Sequence, residues 1–260
     1  MPRFKLTLEY VGTRYRGWQV QKNARTVAGE LQRAVKAVAG REPGELYGSG
    51  RTDAGVHALQ QVAHLDLETR LPPAQLLWRL NEELPADINL LALEPAARRF
   101  HARHAALARS YLYQIARRRT ALGKPFVWWV KDELDADAMN HAASMLVGKH
   151  DFVSFCELEE GKKQSTLVKV DHAEVFTDCD LICFRIGASH FLWKMVRRII
   201  GMLAEVGRGN LTYDAFERLL KFKSDVPAKF TSPPSGLFLE KVLYTGDKPP
   251  RERRSFIPVR

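Results

Sequence analysis

The sequence predicts an α+β protein built as two similarly patterned halves, each resembling a ferredoxin-like or RRM-like unit with an antiparallel sheet and covering helices. Three observations carry this. Apolar residues alternate in short segments, they recur at helical spacing between those segments, and the order of the two patterns in the first half returns in the second. A chain of 260 residues suits one large or two medium domains, since domains commonly hold about 100 to 150 residues.

Phe4, Leu6, Leu8 and Tyr10 alternate with Lys5, Thr7 and Glu9, the period of a half-buried strand. A basic loop through Arg14, Arg16 and Trp18 follows. Thr26 is placed to cap a helix whose apolar face carries Val27, Leu31, Ala34, Val35 and Val38, with Gly40 as its stop. A short strand over Glu45 to Tyr47 is compatible with the pattern. Ala63, Leu65 and Leu67 mark the next strand, Pro72 and Pro73 open a helix through Leu76, Leu77, Leu80 and Leu84, and Ile88 to Leu93 reads as a further strand.

The second half opens with a strand over Ser110 to Ala116, with Tyr111, Tyr113 and Ile115 on one face. Asp135 caps a helix through Met139, Ala142, Ala143, Leu146 and Val147. Strands over Leu167 to Phe176 and Leu181 to Gly187 lead to the most apolar helix, with Leu192, Met195, Val196, Ile199, Ile200 and Leu203 at helical spacing. A helix near Tyr213 to Lys221 and a strand over Gly236 to Tyr244 complete the series. The expected divisions are 1–104, 105–245 and a basic tail over 246–260, in which the Pro-flanked Arg251-Glu252-Arg253-Arg254 reads as a mobile arm, solvated or in contact with RNA.

The net charge of +10 points to a polyanionic partner, because each phosphate neutralised by Lys or Arg releases a condensed counterion. Charge alone does not separate RNA from DNA or an acidic membrane. Met1-Pro2-Arg3-Phe4 runs directly into a strand and no long apolar stretch occurs, so neither a signal peptide nor a membrane span is expected, and the location expected is cytoplasmic. Cys156, Cys179 and Cys183 are odd in number and lack C-x-x-C spacing, which argues for reduced thiols rather than a disulfide framework or a zinc site.

One stretch, Gly48-Ser49-Gly50-Arg51-Thr52-Asp53-Ala54-Gly55-Val56-His57-Ala58, has residue types suited to chemistry. Three glycines permit tight turns and close approach to a ligand, and Arg51 and Asp53 place opposite charges two residues apart. An incidental ion pair in a surface turn has the same composition. Gly50 to Ala58, however, resembles the signature of the tRNA pseudouridine synthase A family. Further motifs follow the family's order: Tyr10-Val11-Gly12-Thr13 and Gly17-Trp18-Gln19 before it, then Phe100-His101-Ala102-Arg103, Arg109-Ser110-Tyr111-Leu112-Tyr113, His150-Asp151-Phe152, Met195-Val196-Arg197 and Pro233-Pro234-Ser235-Gly236-Leu237.

The resemblance implies two halves joined around a central catalytic cleft and the conversion of uridine to pseudouridine at nucleotides 38 to 40 of the tRNA anticodon arm, by a homodimer, without cofactor or metal. The absence of a P-loop, a dinucleotide fingerprint and metal-ligand spacing agrees with a reaction that adds and removes nothing. By the same resemblance Asp53 is the catalytic carboxylate, acting by attack on C1′ or by assisting elimination of the base; both routes are open. Arg197 is the guanidinium that pairs with it. Arg51 has two roles open to it, partner of Asp53 or contact for a phosphate. Tyr111 holds the flipped base, with Tyr113 as a core aromatic, and Gly236 and Leu237 form the pocket wall.

His57, His101 and His150 read as structural histidines, Trp18, Trp128 and Trp129 as core or RNA-facing aromatics, and Arg14 to Arg16, Arg98 to Arg103, Arg117 to Arg119 and Lys162-Lys163 as phosphate contacts. Two departures from the family's usual pattern stand out. Ala28 occupies a position that often holds Gln, and Trp193-Lys194 replaces the more common Tyr/His pair before Met195. A different class, a non-catalytic tRNA-binding or folding protein on the same scaffold, would not require a carboxylate beside a polyanion. A hydrolase using Asp53 as nucleophile lacks an evident second carboxylate.

Overall fold

Alternation along Arg3–Tyr10 does become a strand, β1, with Phe4, Leu6, Leu8 and Tyr10 buried and the residues between them half-exposed. The computed structural model describes residues 1–158, 161 and 164–259, and they fall into two compact units. In the first, Met1–Leu107 with Phe238–Lys248, β1 lies between β3 (His57–Asp66) and β4 (Ile88–Ala96), antiparallel to both. The short β2 (Glu45–Gly48) runs antiparallel to β3, which gives the order β4-β1-β3-β2 of a β-α-β-β-α-β unit.

The two helices of this unit are α1 (Val27–Ala39) and α2 (Pro73–Glu83). Thr26 caps the first through its hydroxyl, which accepts from the Gly29 amide at 3.3 Å, and Gly40 ends it in the left-handed region at φ 67°. Leu31 and Ala34 on α1, and Leu76 and Leu80 on α2, are fully buried. Arg3 fastens the strand ends: its guanidinium donates to both carboxylate oxygens of Asp66 at 2.7 Å, to Glu45 at 2.8 Å and to the Phe100 carbonyl at 2.7 Å.

The strand β10 (Leu237–Leu243) differs from its sequence assignment to the second half, because from Phe238 onward it counts with the first unit. Phe238 and Leu239 pair in parallel with His57 and Ala58 of β3. Alternation reveals that a strand exists but not which edge it joins, so this pairing carries no signal in the local sequence.

The second unit, Ala108–Leu237 with Pro249–Arg260, is built on β5 (Ala108–Ala116), β9 (Leu181–Ala188), β8 (Leu167–Asp178) and β7 (Gly148–Asp151), antiparallel in that order, with β6 (Trp128–Trp129) parallel to β5. The helix α3 (Ala136–Ser144) is capped by Asp135, whose carboxylate accepts from the Ala138 amide at 2.9 Å, and packs on β8 and on α4 (Met195–Gly207). A shorter α5 (Tyr213–Lys221) and α6 (Val226–Lys229) follow.

Periodicity extends α4 back to Leu192, but the helix opens only at Met195, because Lys194 sits in the left-handed region at φ 61° and cannot continue a helix. Gly201 lets α6 dock: a Cβ there would lie 1.6 Å from the Phe230 carbonyl oxygen. None of the described helices is long and apolar enough to cross a membrane, and all three cysteines are free.

The tail is not the mobile arm that its charge suggests. The Ser255 amide donates to Asp178 at 2.7 Å, the Phe256 amide to the Gln114 side-chain oxygen at 2.7 Å, and Arg253 to Glu174 at 3.1 Å. Val259 is buried with Leu112, Ala116, Val127, Phe176, Leu181 and Cys183. Three apolar residues after the arginines, Phe256, Ile257 and Val259, were the available signal. The Ser255 side chain and its donating amide hold the Asp178 carboxyl below its ordinary range, so this attachment is complete above that range and weakens as pH falls through the depressed value. Asp178→Ala should accordingly raise the rate of tryptic cleavage at Arg253 and Arg254 several-fold, read by mass spectrometry, with the rest of the chain protected.

Candidate active site

The Asp53 loop is held by backbone and side-chain hydrogen bonds from both flanks. The Thr52 hydroxyl pairs with the Tyr10 hydroxyl at 2.7 Å, and the Thr52 carbonyl accepts from the Trp18 amide at 3.1 Å. The Gly55 amide donates to the Tyr15 carbonyl at 3.2 Å, and the Val56 amide closes the turn onto the Asp53 carbonyl at 3.2 Å. Burial pushes the Tyr10 phenol up to about 12, so it stays protonated as a partner for Thr52.

At Gly12 and Gly17 the backbone lies so close to this loop that a side chain is excluded. A Cβ on Gly12 would sit 1.9 Å from the Val56 carbonyl oxygen, and one on Gly17, at φ 89°, would sit 2.4 Å from the Thr52 carbonyl oxygen. His57 supports the same contact from below: its Nδ1 accepts the Gly12 amide at 3.1 Å and its ring stacks on Phe238 with centroids 4.8 Å apart. That is a structural histidine, as its position beside a strand suggests. Tyr15 donates its hydroxyl to Asp87 in a short hydrogen bond, and the Arg25 guanidinium lies 4.9 Å over the Tyr15 ring. Trp18 is buried rather than RNA-facing.

Asp53 itself is half-buried. Arg51, two residues away, is exposed and forms no hydrogen bond or ion pair among the described residues, so its guanidinium stands in solvent rather than against the carboxylate. Sequence reasoning missed Tyr10, Tyr15 and Asp87 as supports of the loop. Tyr10 reads from alternation as a core residue, and Tyr15 and Asp87 lie 72 residues apart, where no spacing rule connects them.

The other residues singled out lie in the second unit. Tyr111 on β5 is 8% exposed and meets the Phe191 ring edge-on at 4.9 Å. Tyr113 is fully buried and donates to the Pro233 carbonyl at 2.8 Å, the core role expected of it. Arg197 donates through Nε to the Ser232 carbonyl at 2.7 Å and accepts the Ser232 amide at its own carbonyl at 3.0 Å. These two bonds fix the segment that leads to Gly236. A Cβ on Gly236 would lie 2.7 Å from the Gln114 carbonyl oxygen and 2.8 Å from the Tyr113 ring, so glycine is what lets this segment pass over β5 and present Leu237, which is buried.

Glu45, His64 and His101 bring one possible ligand atom each within 4.8 Å of one another. Hydrogen bonding argues against a metal there. His64 Nδ1 accepts the Ala102 amide at 3.1 Å, and His101 Nδ1 accepts the Arg103 and His104 amides at 3.2 and 3.4 Å. In a neutral ring the proton then resides on Nε2, and metal-bound histidines have the opposite arrangement, donating from the nitrogen away from the ion. His64 Nε2 instead faces Glu45 at 3.2 Å, and burial together with His64 and His104 lowers the pKa of His101. The cluster pins the turn through Ala102, with Arg103 and His104 on its exposed side.

Arg14, Arg16, Arg98 and Arg99 are exposed, as phosphate contacts would be, and Lys162-Lys163 lie outside the described residues. Arg118 is engaged with Asp180 at 2.7 Å, and Arg117 with the Cys179 carbonyl at 2.9 Å.

A sequence profile of the family described as tRNA pseudouridine synthase matches residues 7–104 and 142–245. A tRNA pseudouridine synthase A of Rhodopseudomonas palustris is 42% identical over 247 residues, covering 94% of this chain and all of the relative. Proteins of the same description from a Thermoanaerobacter species and from Aquifex aeolicus are 39% and 38% identical, each covering 94% of this chain and all of the relative. A chain from a crystal structure of a Cbf5-Nop10-Gar1 complex aligns with 77% of this chain and 54% of its own at 14% identity and a TM-score of 0.33, too low to add to the fold assignment.

Proposed function

Since the chain belongs to the tRNA pseudouridine synthase family, we propose that its isomerisation of uridine to pseudouridine in tRNA takes place in the anticodon arm, with Asp53 as the reacting carboxylate. The observation that carries this reading is the loop itself: a half-buried aspartate whose backbone is fixed on both sides, beside glycines that admit no side chain.

The chemistry asks little else of the protein. The C1′ to N1 bond breaks, uracil turns, C5 joins C1′, the C5 proton leaves and N1 gains a proton. An ionised carboxylate near C1′ serves either as a nucleophile on the sugar or as a base that promotes loss of uracil. A target in a stem must first be unstacked, at a cost of a few kcal/mol, and an aromatic platform offsets part of that.

Tyr111 takes the platform role, with Gly236 and Leu237 against the base, and Arg197 supplies a guanidinium to the reacting group, as the family's motifs assign. Arg51, exposed and without an ion-pair partner among the described residues, contacts a phosphate next to the flipped nucleotide. The net charge of +10 suits a tRNA spread over a homodimer.

Pseudouridine mapping of tRNA from cells lacking the protein tests the reading. Loss of the modification at anticodon-arm positions supports it, and unchanged tRNA overturns it. At the residue level, the Tyr111 hydroxyl also helps take the C5 proton once the uracil has rejoined, so Tyr111→Phe should keep base stacking and lose part of that proton transfer, whereas Tyr111→Leu should lose both and be at least about tenfold slower than the Phe variant. Tritium release from 5-tritiated uridine in tRNA reads the difference, and equal, full activity of the two variants removes Tyr111 from the site.

A further inference from the structure

Among the exposed aromatic residues of the second unit, Trp193 is held in an unusual way. It is 46% exposed, yet its backbone is fixed: its carbonyl accepts the Glu157 amide at 3.1 Å. The following residue, Lys194, is one of only two non-glycine residues with positive φ among those described. Such a conformation costs about 1 to 3 kcal/mol and persists only where the surroundings impose it. Here the surroundings are ionic. The Lys194 ammonium donates to Glu157 at 2.5 Å, and Arg198 donates to the same carboxylate at 3.1 Å and to the Cys156 carbonyl.

This network places the Lys194 ammonium 5.0 Å over the Trp193 ring. One face of the indole is therefore occupied by a cation, and nearly half of the residue remains open to solvent. Two residues earlier, Phe191 meets the ring of Tyr111. A large aromatic left in water, rigidly mounted and carrying a positive charge at its side, matches the two elements that single-stranded nucleic acid recognition requires: a stacking surface and a neighbouring cation for the backbone.

We propose that Trp193 is a stacking platform, through the indole face away from Lys194, for an unpaired nucleobase of the RNA substrate next to the target uridine. The inference rests on the RNA-modifying function given above. The side chain at this position is tryptophan, the largest aromatic. Trp193 is a binding and positioning residue that does not touch the reacting atoms.

The test uses the full-length protein and an anticodon stem-loop RNA, with wild type, Trp193→Ala and Trp193→Phe compared. Because the side chain is half-exposed, all three should fold with the same thermal midpoint. Trp193→Ala should weaken RNA binding about tenfold or more and raise KM by a larger factor than it lowers kcat, with Trp193→Phe recovering most of both losses. Stacking also quenches indole emission, so the fluorescence decrease on RNA addition should be smaller in Trp193→Phe than in wild type. Wild-type affinity in the alanine variant, or an equal quench in the phenylalanine variant, overturns the proposal. A wild-type protein that binds RNA with a quench lost in Trp193→Phe, but releases no tritium, would overturn the isomerase reading and support the platform.

Discussion

Asp53→Asn protein is expected to release no measurable tritium from 5-tritiated uridine in tRNA, a fall of roughly 10⁴-fold or more, or about 5.5 kcal/mol of transition-state stabilisation. Asparagine has almost the same shape as aspartate but neither attacks a sugar carbon nor accepts its proton, so the substitution isolates charge and basicity. The hydrogen bonds of Thr52, Gly55 and Val56 that hold the loop run through other atoms and persist in the variant. Affinity for tRNA should stay within several-fold, measured by filter binding. Retained turnover would remove Asp53 from the chemistry, and a collapse of affinity together with turnover would assign it to binding.

The second large effect is expected from a residue with no functional group. Gly12→Ala would bring a methyl carbon to 1.9 Å from the Val56 carbonyl oxygen and 2.5 Å from its carbonyl carbon, both backbone atoms. The loop must yield, and displacement of a reacting group by about 1 Å is enough to cost on the order of 10²-fold in rate. Turnover should fall by about that factor, with a lower thermal midpoint. Gly50→Ala is the matched control: it lies in the same motif, has no atom within 4 Å of the added carbon and needs no positive φ, and should keep wild-type turnover. Equal activity of the two variants would show that close packing against the Asp53 loop is irrelevant to the reaction.

Local pattern made much of the architecture legible. The alternation of β1, the capping residues Thr26 and Asp135, and the apolar stripe of α4 all answer to rules that operate within a few residues. What escaped were pairings between distant segments: β10 beside β3, the Tyr15 hydroxyl on Asp87, and the tail amides on Asp178 and Gln114. The first turn of α4 escaped for a different reason. Leu192 fits the helical period, but the conformation of Lys194 is imposed by Glu157 and Arg198, which no window around residue 194 contains. At the candidate site, the glycines of the Asp53 loop signalled close approach, while the residues that approach, Gly12 and Gly17, were visible only as part of a family motif.

The placement of β10 has a consequence for how the protein comes off the ribosome. The first unit is complete in its N-terminal residues except for one strand, and that strand is encoded about 130 residues later. At synthesis rates of about 5 to 20 residues per second, the roughly 180 residues between Ala58 and Phe238 leave the edge of β3 at His57 and Ala58 open for on the order of 10 to 40 seconds. Those two β3 residues directly follow the Asp53 loop, and His57 carries the hydrogen bond that steadies Gly12. The nascent chain therefore holds an open strand edge beside its prospective reaction centre until translation is nearly finished, and a message truncated before codon 238 would yield a polypeptide that cannot complete it.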